Sequence, residues 1–362
     1  MTDGTTCTVL APKETRVPAA KELAKYKRPH QWKSCWQIAN SVLPFCGLWY
    51  LMYRSISWSY LLTLSLAVPT AGFVVRIFII QHDCGHHSFF RNRRANDVLG
   101  SACGILTLTP FHFWKRTHAR HHVSSGDLSH RGHGDVGVLT VDEYLSRSHF
   151  GRLRYRLYRN PLIMFALGAS YLFLFHQRCT FSIPRSWRRE RRSVHLTNVG
   201  ILAVVAGGWL TIGLPTFLLI HVPIMVVAAA IGSWLFFVQH QFEEAYWQPH
   251  ESWDFTRAAL EGSSYYHLPR VLQWFTGNIG FHHIHHFDSR IPNYNLPDCY
   301  AAEPAFQQAI TLGIRDSLKC IRLKLWDPQR ERMVTFAEAH ATRQSGPNLG
   351  NATNCPINRR VA

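Results

Sequence analysis

The sequence predicts an all-α integral membrane protein, with four transmembrane helices in two hairpins and a cytoplasmic helical cap that holds a histidine-rich metal site. Three observations lead there. Long apolar stretches alternate with basic ones in a chain of 362 residues whose formal net charge is +17. The basic residues crowd one set of connections and avoid the other. Three histidine clusters, His82-Asp83-Cys84-Gly85-His86-His87, His118-Ala119-Arg120-His121-His122 and His282-His283-Ile284-His285-His286, all fall outside the long apolar stretches.

Residues 1–33 read as a polar lead-in, in which Pro12, Pro18 and Pro29 discourage a continuous helix. They hold no apolar core of the kind a cleaved export signal needs, so the first apolar helix is expected to act as the targeting element. The membrane domain is expected over 34–330. Its first hairpin, about 38–80, joins Ile38–Met52 to Trp58–Ile80, and its second, about 194–238, joins Val194–Gly213 to Pro215–Val238. The second member of each is long enough to cross a hydrocarbon core of roughly 30 Å. The links Tyr53–Ser57 and Gly213–Leu214 contain one Arg between them, whereas Arg91–Arg159 and Arg178–Arg192 are strongly basic. The positive-inside rule then puts both termini and both basic stretches in the cytoplasm. The same rule favours membrane lipid over nucleic acid as the reason for the positive charge, and no nucleic acid is expected as a partner.

The cap is expected from 81–193 and 239–330. Val98–Trp114 and Pro161–Phe175 are apolar but flanked by basic residues at both ends, and a crossing at Val98–Trp114 would strand the second histidine cluster opposite the first. Both are therefore expected at the membrane surface, re-entrant or interfacial. One amphipathic helix is expected at Ile314–Trp326, and 331–362 reads as a tail, partly disordered, most of all beyond Arg343. The nine cysteines form no CxxC pair, which excludes a disulfide framework or an iron–sulfur cluster and fits a reducing compartment.

Residues three or four apart share a helix face, so each cluster can aim several nitrogens at one point. With His240, which follows the second hairpin, the candidates are His82, His86, His118, His121, His122, His240, His282, His285 and His286. One tetrahedral zinc takes four ligands, so nine point to two metal ions, with iron, zinc and copper as the candidates for a nitrogen-rich sphere. His87 and His283 point off the shared face and are expected to support the ligands or the packing. Asp83, Asp127, Glu243, Glu244 and Asn278 are candidates to orient imidazoles or bind a bridging water, with ordinary surface polarity as the alternative. His195, His221 and His267 are expected to pack or face solvent. A redox metal pair at a membrane face suits the activation of dioxygen against an unactivated C–H bond. The substrate would be a hydrocarbon chain drawn into a tunnel, with Phe111, Phe113, Trp114, Trp234, Phe237, Tyr246 and Trp247 as candidate lining.

The chain resembles the membrane fatty acid desaturases, and among them the acyl-lipid type of bacteria and plastids that includes omega-6 or delta-12 enzymes. The resemblance rests on His82–Phe90, on Trp114–His122, on Gly277-Asn278-Ile279-Gly280-Phe281 leading into the third cluster, on Pro292 and Tyr294-Asn295-Leu296, and on Gln239-His240-Gln241-Phe242-Glu243. It implies four transmembrane helices under a cytoplasmic cap, two iron ions held by the nine histidines, and a contact from Asn278, direct or through water. It implies an integral protein of the bacterial inner membrane that spends dioxygen and two electrons to place a double bond in an acyl chain, with a lipid-linked substrate favoured. The electrons would come from a separate ferredoxin or b-type cytochrome, docked at Arg91, Arg93, Arg94 and Arg188–Arg192, residues that also suit anionic lipid. A hydroxylase, acetylenase or ketolase on the same iron site is the nearest alternative. A metal-handling membrane protein without chemistry is the alternative of another class.

Overall fold

A computed structural model describes residues 16–19, 21–132 and 136–344. Helices α1 (Gln31–Ser55) and α2 (Tyr60–Gly85) form the first hairpin, and each opens on a side chain, His30 or Ser59, that accepts a free amide of the first turn. After them come α3 (Arg93–Leu106) and α4 (Phe111–Ser124), then a two-residue strand β1 (Leu139–Thr140), α5 (Val141–Leu145), α6 (His149–Tyr158) and a π-helical turn, Ile163–Gly168, that runs into α7 (Ala169–Leu174). The second hairpin is α8 (Arg188–Ile212) and α9 (Leu214–His240). The rest of the cap follows as α10 (Phe255–Leu260), β2 (Tyr265–Tyr266), α11 (Arg270–Phe275), α12 (His282–Phe287), α13 (Leu296–Ala302), β3 (Thr311–Leu312), α14 (Ile314–Cys320), β4 (Leu325–Asp327), β5 (Arg332–Val334) and α15 (Phe336–Gln344).

The described residues are mostly helical, but five short strands among them qualify the all-α expectation: β1 pairs parallel with β4, β4 antiparallel with β5, and β2 parallel with β3. The helix expected at Ile314–Trp326 is α14 for its first half only. Its second half extends as β4, where Leu325 pairs with both Leu139 and Val334 and is fully buried. The single stretch expected at Val98–Trp114 is two helices, α3 and α4. Leu108 turns with a φ of 54° and Pro110, which has no amide hydrogen to give, stands just before α4.

Among the described residues three helices, α2, α8 and α9, are long and apolar enough to cross a membrane. In α1 the pattern is reversed: Ser34, Gln37 and Ser41 are buried against the protein while Trp32, Trp36, Leu43, Tyr50 and Leu51 are exposed. The polar interior face lowers its hydropathy without removing its apolar exterior. The main core lies where α2 and α9 meet, around Ile77, Ile80, Ile220, Ile224 and Phe237. A smaller core lies beneath α12. There Leu23 and Tyr26, within the stretch expected as a polar lead-in, pack with Ile284, Ile291 and Leu296.

Candidate metal centre

Four helices carry the clustered histidines. His82 sits in the last turn of α2, and His86 caps it. His118, His121 and His122 lie on α4, His240 ends α9, and His282, His285 and His286 lie on α12. The turn into α12 is sterically exacting. Gly277 and Asn278 have φ of 53° and 59°, the left-handed region that Gly and Asn tolerate best, and a Cβ on Gly277 would stand 2.8 Å from Ile79 of α2. A Cβ on Gly280 would stand 2.4 Å from the Tyr266 carbonyl oxygen. The Gly-Asn-Ile-Gly run is what lets α12 come close to α2.

The nine imidazoles fall into two groups. His82, His86, His118, His122 and His285 form one, and His121, His240, His282 and His286 the other, with the donor atoms of each group within 4.8 Å of one another. In the first, the Nε2 atoms of His82 and His118 are 3.0 Å apart, those of His118 and His122 3.1 Å, and those of His122 and His285 3.0 Å. In the second, His121 and His240 are 3.1 Å apart and His240 and His282 3.0 Å. With metal–imidazole bonds of ~2.1 Å, nitrogens at right angles stand about 3.0 Å apart and tetrahedral ones about 3.4 Å. Burial, and after it the neighbouring imidazoles, hold His86, His118, His122, His282, His285 and His286 well below the usual histidine range, so they are neutral. Where two unprotonated ring nitrogens face each other at such distances their lone pairs repel, and a cation between them relieves the repulsion.

The surroundings orient the rings. His240 Nδ1 lies 3.1 Å from the Gly262 carbonyl oxygen, which can only accept, so Nδ1 keeps the proton and Nε2 is free to bind metal. His82 Nδ1 is 3.3 Å from Asp83 Oδ1, and Asp83 Oδ2 accepts from the Asn293 amide at 2.7 Å and its side chain at 2.8 Å. Asn278 Nδ2 donates to the Asn293 carbonyl at 3.1 Å, which places it three hydrogen bonds from His82. His87 stands outside both groups, its Nε2 2.6 Å from Lys115 Nζ. His283 is fully buried on the far side of α12 beside Tyr265, Tyr300 and Phe306, where burial pushes its imidazole down to about 3. Glu243 and Glu244 are exposed, Glu243 paired with Arg332, and Asp127 holds two other histidines. His195 and His267 are exposed, and His221 stacks on Phe217.

Trp114 stacks on His118 with ring centres 4.5 Å apart. Phe236, which sequence reasoning passed over, lies 5.1 Å from His121 and 5.3 Å from His240; its place one helical turn before His240 was the available signal. The other aromatics expected along a tunnel scatter. Trp234 and Phe237 both meet Phe165, Phe113 packs with Ile183 and Trp187, and the Tyr246 hydroxyl bonds the Ser252 carbonyl. A cavity of about 460 Å³ opens between α1, α2 and α11, where Lys33, Trp36, Arg76, Arg270, Trp274 and Asn293 line it.

The sequence profile of the fatty acid desaturase family matches residues 56–316, which include all nine clustered histidines. A fatty acid desaturase of Bacillus subtilis (strain 168) is 45% identical over 316 residues, 87% of this chain and 89% of its own. An sn-1 oleoyl-lipid 12-desaturase of Synechocystis is 26% identical over 223 residues, 60% of this chain and 62% of its own. A delta(12)-fatty-acid desaturase of Arabidopsis thaliana is 27% identical over 249 residues, 62% of each chain. With a histidine-rich centre at the ends of apolar helices and these relatives, the chain belongs to the fatty acid desaturase family and is a membrane oxidoreductase acting on fatty acyl chains.

Proposed function

We propose that the chain is a di-iron acyl-lipid desaturase of the bacterial inner membrane, with its centre on the cytoplasmic side. One CH₂–CH₂ unit, dioxygen, two electrons and two protons become CH=CH and two waters. Iron, when bound, supplies the oxidising power that an unactivated C–H bond requires and that no side chain here can provide. The observation that carries the reading is the convergence of nine imidazoles, without a thiolate or a carboxylate among them, into groups of five and four. We assign His82, His86, His118, His122 and His285 to one iron and His121, His240, His282 and His286 to the other. Asp83 and the Gly262 carbonyl orient one ligand in each, while Trp114 and Phe236 pack against the rings and keep water from them.

α1 is proposed as the fourth crossing, since its exposed face is apolar. Two hairpins then return α2 and α9 to one side, with the cap formed by the segments between and after them, β5 and α15 included. Excess Lys and Arg in the cap supports the cytoplasmic assignment and a negatively charged ferredoxin or b-type cytochrome as electron donor. The cavity beside α1 combines Lys33 and Arg270 with Trp36 and Trp274, a lining suited to an anionic lipid headgroup at the membrane interface. The Synechocystis relative, named for an oleoyl-lipid, supports a lipid-linked acyl chain.

The test is expression in a host lacking polyunsaturated lipids, followed by mass spectrometry of its lipids and fatty acids. A new double bond on lipid-bound chains, absent with His286→Ala, is the expected result. A hydroxyl, keto group or triple bond in its place, or a product confined to free thioesters, overturns the reading.

A further inference from the structure

Outside the nine imidazoles, one other group of metal-binding side chains stands out among the described residues. Asp127 follows α4 in a turn, and His250 opens the short helical turn His250–Ser252 beyond α9. Asp127 Oδ2 lies 2.7 Å from His130 Nδ1 and 2.8 Å from His250 Nδ1, and the two rings are 4.6 Å apart. Its other oxygen, Oδ1, accepts the Ser129 amide at 2.8 Å and the His130 amide at 3.3 Å. The carboxylate side chain is 3% exposed whereas the two imidazoles are 54% and 60% exposed. The anion is fixed and the two rings face solvent.

Backbone contacts hold the two loops in place. The Leu128 amide donates to the Gln248 carbonyl and the Gln248 amide to the Gly126 carbonyl, both at 2.9 Å, and the His250 amide donates to Ser129 Oγ at 3.2 Å. Trp253 Nε1 closes the arrangement on the Ser125 carbonyl at 2.9 Å. Burial works against the Asp127 charge, but the bonds from His130 and His250 and from the Ser129 amide hold the carboxyl below the usual range, so it is an anion.

We propose that Asp127, His130 and His250 form a further metal site, on the outer face of the cap, that takes an exchangeable divalent transition ion. Two imidazoles and one carboxylate on one side of an ion leave its other positions to water. Ligation at Nδ1 moves each ring proton to Nε2, which solvent can serve, so no proton is buried. The present spacings of 2.7 and 2.8 Å need to open to about 3.0 Å for bonds of ~2.1 Å at right angles, a shift the exposed rings can make. The inner groups are all nitrogen and largely buried, with His86 and His118 half-buried. This one carries a carboxylate and two exposed rings, so it exchanges ions with the medium more readily than the inner pair.

The test uses the iron-loaded, full-length protein, with zinc uptake followed by equilibrium dialysis and cobalt uptake followed by its visible absorption. Asp127 anchors both loops and its loss can unfold them, so the variants are His130→Ala and His250→Ala. The expected result is one zinc per chain above the iron, and affinity weakened in each variant by more than the roughly 10- to 100-fold that loss of an outer partner causes. Iron content and zinc-free turnover stay at the wild-type level. Absence of zinc uptake, wild-type affinity in either variant, or uptake matched by release of iron each overturns the proposal.

Discussion

The five-imidazole group takes His82 and His86 from α2, and the four-imidazole group takes His240 from α9, while α4 and α12 serve both. The two supporting hairpins differ. In α2, 61% of the most apolar window is buried inside the protein, against 33% in α9 and 6% in its partner α8. Their orienting contacts differ as well. Behind His82 stands a chain of side chains, Asp83, Asn293 and Asn278, whereas His240 leans on one backbone carbonyl. The two groups thus differ in support as well as in ligand number, with the five-imidazole group held by more contacts than the four-imidazole group.

Ligand removal is the strongest way to break this comparison. His240→Ala leaves three imidazoles in its group and is expected to hold about one iron per chain with activity at background. His86→Ala leaves four, the number the other group has natively, and is expected to keep about two irons with activity down by more than the roughly 10- to 100-fold that loss of an outer partner causes. Iron analysis beside a desaturation assay decides it, and equal iron loss in both variants removes the asymmetry. Asp83→Asn comes next. It keeps an acceptor for Asn293 but lowers the charge beside His82, so activity is expected to fall toward the lower end of the same ~10- to 100-fold range, with Asp83→Ala at the upper end.

Much of the centre is legible in the sequence, because imidazoles at i, i+3 and i+4 must share a helix side and because the apolar stretches decide which ends they occupy. The division into five and four is not. His118 and His121 are three residues apart on α4 yet serve different groups, since α2 approaches one edge of that helix face and α9 the other. That is a property of tertiary packing and leaves no mark on local spacing. The same holds for Leu23, polar in its neighbourhood but buried against α12, and for Trp326, whose apolar period reads as helix until β1 and β5 pair with its strand. Burial of Ser34, Gln37 and Ser41 on α1 likewise reverses the usual inside-out pattern of a soluble helix.

A smaller perturbation probes the weaker support alone. A Cβ on Gly262 would stand 2.5 Å from the Ala258 carbonyl oxygen, a backbone atom that cannot swing aside. Gly262→Ala is therefore expected to destabilise by about 1–3 kcal/mol and to shift the carbonyl that holds His240. Iron should then dissociate faster from one position only, seen as two-phase release to a chelator, with thermal unfolding measured alongside. Single-phase release at the wild-type rate argues that α9 holds His240 without help.

The smallest effect sharpens the comparison from the substrate side. Arg270 is exposed at the mouth of the cavity beside α1, and Asn293 on its wall also reaches Asp83 and so the five-imidazole group. Exposed charge pairs are worth ~0.2–1 kcal/mol, so Arg270→Ala should raise KM for an anionic lipid about 1.4- to 5-fold. Because a headgroup contact is the same before and during the reaction, kcat should not change. A fall in kcat would mean instead that the cavity wall and the Asn293–Asp83 link move together. The well-supported iron would then be the one coupled to substrate binding, and the rigidity of α2 would serve positioning of the acyl chain as much as retention of metal.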